Sequence, residues 1–128
     1  MTNHTYDLEN TYLALAPEGA VAELPVGPDF WETLGQNPKA RGALVSAYWM
    51  DADWTTWEMH PLGDEVLILL DGAATMILDE GGVERRCEMI AGSTLVVPAG
   101  AWHRALIPAS CRLMAITFGE GTQHRPVA

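Results

Sequence analysis

From Gly42 onward the chain is written as short apolar runs separated by turn residues, and that rhythm restricts its fold more than any other feature. The runs occupy 43–50, 53–60, 64–71, 73–79, 83–89, 93–97, 102–107 and 111–118. Between them stand Asp51-Ala52, Pro61-Leu62-Gly63, Asp71-Gly72, Glu80-Gly81-Gly82, Ala91-Gly92, Pro98-Ala99-Gly100 and Pro108-Ala109. No run has the length of an ordinary helix, and each is closed by residues that supply turn geometry, so the runs read as strands. Eight of them make an all-β domain, with the strand count of a double-sheet jelly-roll barrel. Within 65–70, Glu65, Leu67 and Leu69 share one face while Val66, Ile68 and Leu70 share the other. A strand apolar on both faces must be covered on both. One face looks into the barrel, and the other needs the first 40 residues or a second subunit. The first 40 residues are too broken to shield a sheet, so a homodimer is expected.

Residues before 42 follow a different grammar. The first twelve are polar, and Pro17, Gly19 and Pro25 then interrupt a mostly apolar stretch. Short extended pieces are expected near 11–16 and 20–24. One or two helical turns are expected over 28–34, stopped by Gly35 and Asn37-Pro38. The resulting plan is an N-terminal extension over 1–40, a barrel over 41–120 and a tail over 121–128.

The charge balance removes whole classes of partner. Seven Lys and Arg against seventeen Asp and Glu give a net charge of −10, the wrong sign for neutralising nucleic-acid phosphates. The longest aliphatic run, Val66–Leu70, has five residues, far short of the roughly 20 that span a bilayer as a helix. Met1-Thr2-Asn3-His4-Thr5 has neither the basic nor the apolar region of a signal peptide. Cys87 and Cys111 stand 24 apart with no CxxC spacing, which indicates neither a disulfide framework nor a zinc knuckle. A cytoplasmic protein that binds a small molecule, with no nucleic acid and no membrane, is the expectation.

Two clusters carry chemistry. In the first, Trp57-Glu58-Met59-His60-Pro61-Leu62-Gly63-Asp64-Glu65, strand alternation points Glu58 and His60 to one face and Trp57 and Met59 to the other. Pro61-Leu62-Gly63 suits a type I turn from His60 to Gly63, which would return the chain and bring Glu65 near His60. The second cluster runs from Gly92 through Pro98 and Gly100 to His103, where another tight turn precedes a strand. Together they resemble the paired motifs of the cupin superfamily, G-x5-H-x-H-x3,4-E-x6-G and G-x5-P-x-G-x2-H-x3-N. The second motif fits at Gly92, Pro98, Gly100 and His103, and the first at His60, Glu65 and Gly72. Ala52, Glu58 and Ile107 depart from the pattern, standing where the opening glycine, the first histidine and the closing asparagine would be.

The resemblance implies a double-stranded β-helix barrel around one divalent transition metal, Fe, Mn or Zn, with Glu58, His60, Glu65 and His103 as ligands. With Glu58 in place of an imidazole, two carboxylates balance the ion and the centre becomes formally neutral. Such a centre is a weaker Lewis acid and favours the higher oxidation state. Two histidines with one carboxylate are the facial set of non-haem iron oxygenases. The metal-free alternative makes Glu58 a general base in a buried pocket, its pKa raised by burial.

Alternation carries Trp54 and Thr56 to the pocket face with Glu58, and Ala105 and Ile107 with His103; Tyr48 and Met50 join them if their strand has the matching register. The pocket is then mostly apolar, suited to a small aromatic or diketone-like ligand. Three functions compete. The leading one is a metal-dependent dioxygenase that chelates an enolate, with whichever of Glu58 and Glu65 is free acting as base. The others are a non-catalytic sensor or carrier and a metal-independent isomerase or cyclase.

Overall fold

The apolar runs pair into two antiparallel sheets in the computed structural model, which describes residues 4–127. Residues 1–3 of the expected extension, with the start read for a signal peptide, and residue 128 of the expected tail lie outside the described residues. The strands are β1 (Thr11–Leu15), β2 (Val21–Pro25), β3 (Ala43–Met50), β4 (Thr56–Met59), β5 (Glu65–Asp71), β6 (Ala73–Glu80), β7 (Val83–Ile90), β8 (Thr94–Val97), β9 (Trp102–Leu106), β10 (Cys111–Thr117) and β11 (Gln123–Pro126). One sheet has the order β2-β1-β3-β10-β5-β8, the other β11-β4-β9-β6-β7. This two-sheet, jelly-roll arrangement is the all-β fold the runs imply. No described helix is long and apolar enough to cross a membrane.

The main core lies between the sheets. Leu67 and Leu69 of β5 and Leu113 of β10 meet Met76 and Leu78 of β6, Met89 of β7 and Ala105 of β9, all buried. Excluding a leucine-sized side chain from water is worth about 2 kcal/mol, so these inward positions hold the sheets face to face. The extension has a small core of its own, made by Tyr12, Ala14, Leu24 and Phe30. Tyr12 meets Phe30 edge-on at 5.1 Å, and its hydroxyl donates to the Ala47 carbonyl at 3.0 Å. That bond ties β1 to β3, leaving the outer face of β5 uncovered: Leu70 is 41% exposed, and Val96, opposite Val66, 57%.

Three expectations need correction. The 53–60 run supplies a shorter strand, because Asp51–Thr55 is a loop tied to the end of β9. Asp53 accepts from the Ile107 N–H at 2.6 Å, and the Trp54 N–H donates to the Ala105 carbonyl at 2.9 Å. The helical segment is α1 (Phe30–Thr33) followed by a 3-10 turn through Leu34–Gln36, so Gly35 lies inside it; the Asn37 N–H closes it on the Leu34 carbonyl. The tail contains β11, which pairs with β4. Its residues have no apolar face, and it is held by backbone pairing together with Arg125, which binds Asp79 at 2.7 Å.

The two turn clusters clasp each other. Residues 61–63 form an open bend, and the His60 carbonyl accepts from Gly100 at 2.8 Å instead of closing a type I turn on Gly63. Gly100 has φ +79°, a conformation glycine adopts without strain. Asp64 accepts from the Ala99 N–H at 2.9 Å. The bend packs so closely on Phe118 that a Cβ on Gly63 would stand 2.5 Å from its ring. These contacts fix His60 against the strand that carries His103.

Candidate metal centre

Each sheet contributes one side of the site. Glu58 on β4 lies directly opposite His103 on β9, and His60 follows β4 immediately. Residues directly opposite on neighbouring antiparallel strands share a face, so Glu58 and His103 both point inward. Glu65 comes from the other sheet as the first residue of β5. Its carboxylate sits between the imidazoles, Oε2 at 3.3 Å from His60 Nε2 and Oε1 at 3.2 Å from His103 Nε2. Glu58 completes the cluster, with Oε1 3.9 Å from His60 Nε2 and Oε2 3.9 Å from His103 Nε2. One donor atom each from Glu58, His60 and His103 falls within 4.8 Å of the others.

The hydrogen bonds behind the imidazoles fix which nitrogen each presents. His103 Nδ1 lies 3.0 Å from the Ala101 carbonyl, which only accepts, so Nδ1 carries the proton. His60 Nδ1 lies 2.7 Å from the Thr122 hydroxyl. That hydroxyl gives its own proton to the Gly119 carbonyl, so it accepts from His60. Each ring, when neutral, therefore aims an Nε2 lone pair at the carboxylates. His60 Nε2, His103 Nε2 and Glu65 Oε1 are buried with no hydrogen-bond partner, the 3.2 and 3.3 Å approaches being ion-pair contacts and not aligned hydrogen bonds. Lone pairs facing lone pairs in a buried place require positive charge between them, as a proton or as a cation. Adjacent ligands about 2.1 Å from an ion stand roughly 3 Å apart, close to the spacing of Glu65 from each imidazole. The donor set fits a divalent metal, held through an outer shell of Ala101, Thr117 and Thr122.

The two carboxylates are held differently. Glu65 is buried and accepts from the Thr117 hydroxyl at 2.6 Å. Burial opposes its ionisation, but the approaches of His103 and His60 and the Thr117 bond outweigh it and hold the carboxyl down to about 2. Burial likewise opposes a charge on His103, yet Glu65, the Ala101 carbonyl and Glu58 raise its pKa above the ordinary value. Glu58 faces the cleft with its side chain 25% exposed. Burial, with Glu58 and Glu65 nearby, pushes the Tyr48 phenol up, so its O–H remains a donor.

A cleft of about 1160 Å³ opens over these groups. Tyr48 and Trp54 line it, together with Glu58, His60 and Glu65 and with Trp31 and Leu34 of the extension. Arg41 also lines it, but its guanidinium is bound to Glu18 at 2.6 and 3.0 Å. Met50, Ala105 and Ile107, expected in the pocket, are packed in the core and do not line the cleft. Alternation assigned them the right face, but they sit deeper between the sheets. Met50 still bears on the cleft through its sulfur, 3.3 Å from the Trp54 indole nitrogen. Thr56 also lies off the lining, at the far end of β4 against Pro126 of β11. Trp57 and Trp102 face away from the centre, where Arg125 stacks over both rings at 5.3 and 4.5 Å.

Three contributors escaped the sequence reading: Thr117, Thr122 and His124. His124 Nε2 lies 3.5 Å from Glu58 Oε1. Thr117 ends a strand that periodicity marks only as apolar, and the other two stand in a polar segment with no pattern. The one available signal was that His124 is one of just four histidines in the chain.

No protein-family model matches the sequence, and no curated protein does. Solved structures do match. A cupin-2 domain containing protein from Shewanella frigidimarina ncimb 400 has a TM-score of 0.51 at 22% identity, over 58% of this chain and 68% of that one. Fe(II)-HppE with the alternative substrate (S)-1-HPP has a TM-score of 0.53 at 18% identity, over 62% of this chain and 44% of that one. Bacillus subtilis oxalate decarboxylase, which has Mn(II) centers, has 0.55 at 15% identity, over 69% of this chain and 24% of that one. The match thus spans less than half the length of the last two proteins. At these identities the likeness concerns the fold.

Proposed function

This chain has the cupin fold, and on that premise we propose that it is a metal-dependent enzyme acting on a small, largely apolar organic molecule, with dioxygen cleavage as the reaction. One observation carries the proposal. Two imidazole lone pairs and a carboxylate oxygen, all buried and without hydrogen-bond partners, converge beside a cleft that His60 and Glu65 line. Bound there, a divalent ion would polarise a chelating pair of substrate oxygens and, as iron or manganese, engage O₂.

The chain's own groups divide the remaining work. Glu65, ionised far below neutral pH, is a poor base and a good permanent ligand. Glu58 stands between the centre and the cleft, where it can take the proton an enol loses on binding. Tyr48 keeps its hydrogen and can donate to a substrate oxygen. Trp54, Trp31 and Leu34 give apolar walls, and Arg41, committed to Glu18, offers little to a substrate carboxylate. A neutral enol or catechol fits these walls better than a dianion. The proposed reaction places both atoms of O₂ in the products of the cleaved carbon–carbon bond.

Metal analysis of protein purified without chelators, followed by oxygen uptake with a panel of enols and catechols, tests the reading. Near-stoichiometric transition metal and uptake with at least one neutral enol are expected. Less than about a tenth of an equivalent after reconstitution would overturn the metal. Metal without turnover would favour a sensor or carrier.

A homodimer is part of the proposal. Val66, Ile68 and Leu70 of β5, Met114 and Ile116 of β10 and Val96 of β8 share the uncovered sheet face. A second copy seated there would take this apolar strip out of water. Light scattering should give twice the chain mass, and Leu70→Lys should return the monomer mass.

A further inference from the structure

We propose that His124 is a positioning residue for Glu58, holding one carboxylate oxygen so that the other is presented to the metal. The inference rests on the metal reading above and adds a residue that neither cluster in the sequence contains. In the five-stranded sheet, His124 on β11 is directly opposite Glu58 on β4, and Glu58 is directly opposite His103 on β9. Directly opposed residues send their side chains to the same face, so the three form a row across the sheet. Along it, His124 Nε2 stands 3.5 Å from Glu58 Oε1, and Glu58 Oε2 stands 3.9 Å from His103 Nε2. Oε1 also stands 3.9 Å from His60 Nε2, so it is shared between His124 and His60 while Oε2 faces His103 alone.

The need for such a residue follows from the other carboxylate. Glu65 is anchored by the Thr117 hydroxyl at 2.6 Å. Among the described residues no hydrogen bond reaches the Glu58 carboxylate, and the imidazole nitrogen nearest to it is His124 Nε2, at Oε1. At 3.5 Å this is a polar contact just outside hydrogen-bond length. The imidazole is 57% exposed, so it has room to close. Its ion-pair contact is with Glu58 and with neither imidazole of the centre, which distinguishes it from a further ligand. Metal-binding carboxylates are commonly held by such partners, whose removal costs ten- to a hundredfold in affinity.

The test uses the full chain with Co(II) as probe, measuring affinity by competition with a chromophoric chelator and coordination by the visible spectrum. His124→Gln and His124→Met have the same shape and differ in whether an N–H is present. His124→Met is expected to bind Co(II) more weakly by up to about tenfold, with an altered spectrum. His124→Gln is expected to recover most of both. In a Glu58→Gln background, His124→Met should add little further loss, because its target is gone. Methionine and glutamine variants equal to each other would overturn the proposal, whether both match the wild type or both fall short of it. If the methionine variant does not fold, His124→Phe replaces it in the same comparison. A wild-type chain that takes up no Co(II) would instead overturn the metal reading, and with it the positioning role of His124.

Discussion

The two strands on either side of the Pro61–Gly63 bend each deliver one glutamate to the same point, and they do so under opposite conditions. Glu65 opens β5 in the six-stranded sheet, buried, fastened by Thr117 and lodged between two imidazoles. Glu58 belongs to β4 near the edge of the five-stranded sheet, a quarter exposed, with polar contacts of 3.5 to 3.9 Å. Residue type is the same, and environment separates the roles. The first is preorganised to remain an anion, while the second keeps the freedom to exchange a proton or shift with substrate.

Replacing each carboxylate in turn gives the largest expected effect. Glu65→Gln should weaken metal binding by more than about a hundredfold, beyond what outer-shell changes cost. Glu58→Gln should weaken it by about tenfold, yet lower turnover of the reconstituted protein by about a hundredfold or more, the scale of a lost general base. Calorimetric titration and initial rates check both. Equal losses of affinity would break the comparison and make the two glutamates equivalent ligands.

How much of this was readable before the structure depends on what each residue contributes. The run 43–50 became β3 at the same boundaries, because an apolar run closed by turn residues leaves the backbone little choice. Glu58, His60 and Glu65 were legible because their spacing around one turn is itself the constraint, and His103 through the resemblance of the second cluster to the cupin motif. Met50, Ala105 and Ile107, expected in the pocket, lie in the core. Alternation identifies the face of a strand but not the depth along it, and core and cleft share the inward face. Gln123–Pro126 could not be read as a strand at all, since β11 is defined by its pairing with β4. Thr122 and His124 were therefore invisible, although they touch His60 and Glu58.

The pH dependence of the metal-free protein sharpens the contrast with a smaller effect. Folding depresses Glu65 from 4.5 to about 2. Its contribution to stability is thus fully present above about pH 4.5 and is lost as the pH falls towards 2. That contribution is on the order of 3 kcal/mol. His103 is raised above 6.5, so its contribution is present below that value and is lost as the pH rises through the folded pKa. Thermal unfolding of the metal-free chain should accordingly be most favourable to the fold between about pH 4.5 and 6.5. In Glu65→Gln the acid limb due to this group should vanish. An unchanged acid limb would show that other carboxylates dominate and that Glu65 is not specially held.

The smallest expected effect isolates the fastening itself. Thr117→Val keeps the shape of the side chain and removes the hydroxyl that donates to Glu65 Oε2 at 2.6 Å. A hydrogen bond to a charged group contributes about 1.5–3 kcal/mol, but part of that is recoverable because the two imidazoles still confine the carboxylate. About 1 kcal/mol should remain, read as about a fivefold loss of metal affinity. The acid midpoint of the metal-free protein should move upward at the same time, since the Glu65 carboxyl loses one of the groups that depress it. The matching change on the Glu58 side has no hydroxyl to remove, so Thr117→Val should leave turnover per bound metal nearly unchanged. Were turnover to fall more than affinity, Glu65 would be taking part in proton transfer, and the division of labour between the two strands would be the reverse of the one drawn from their burial.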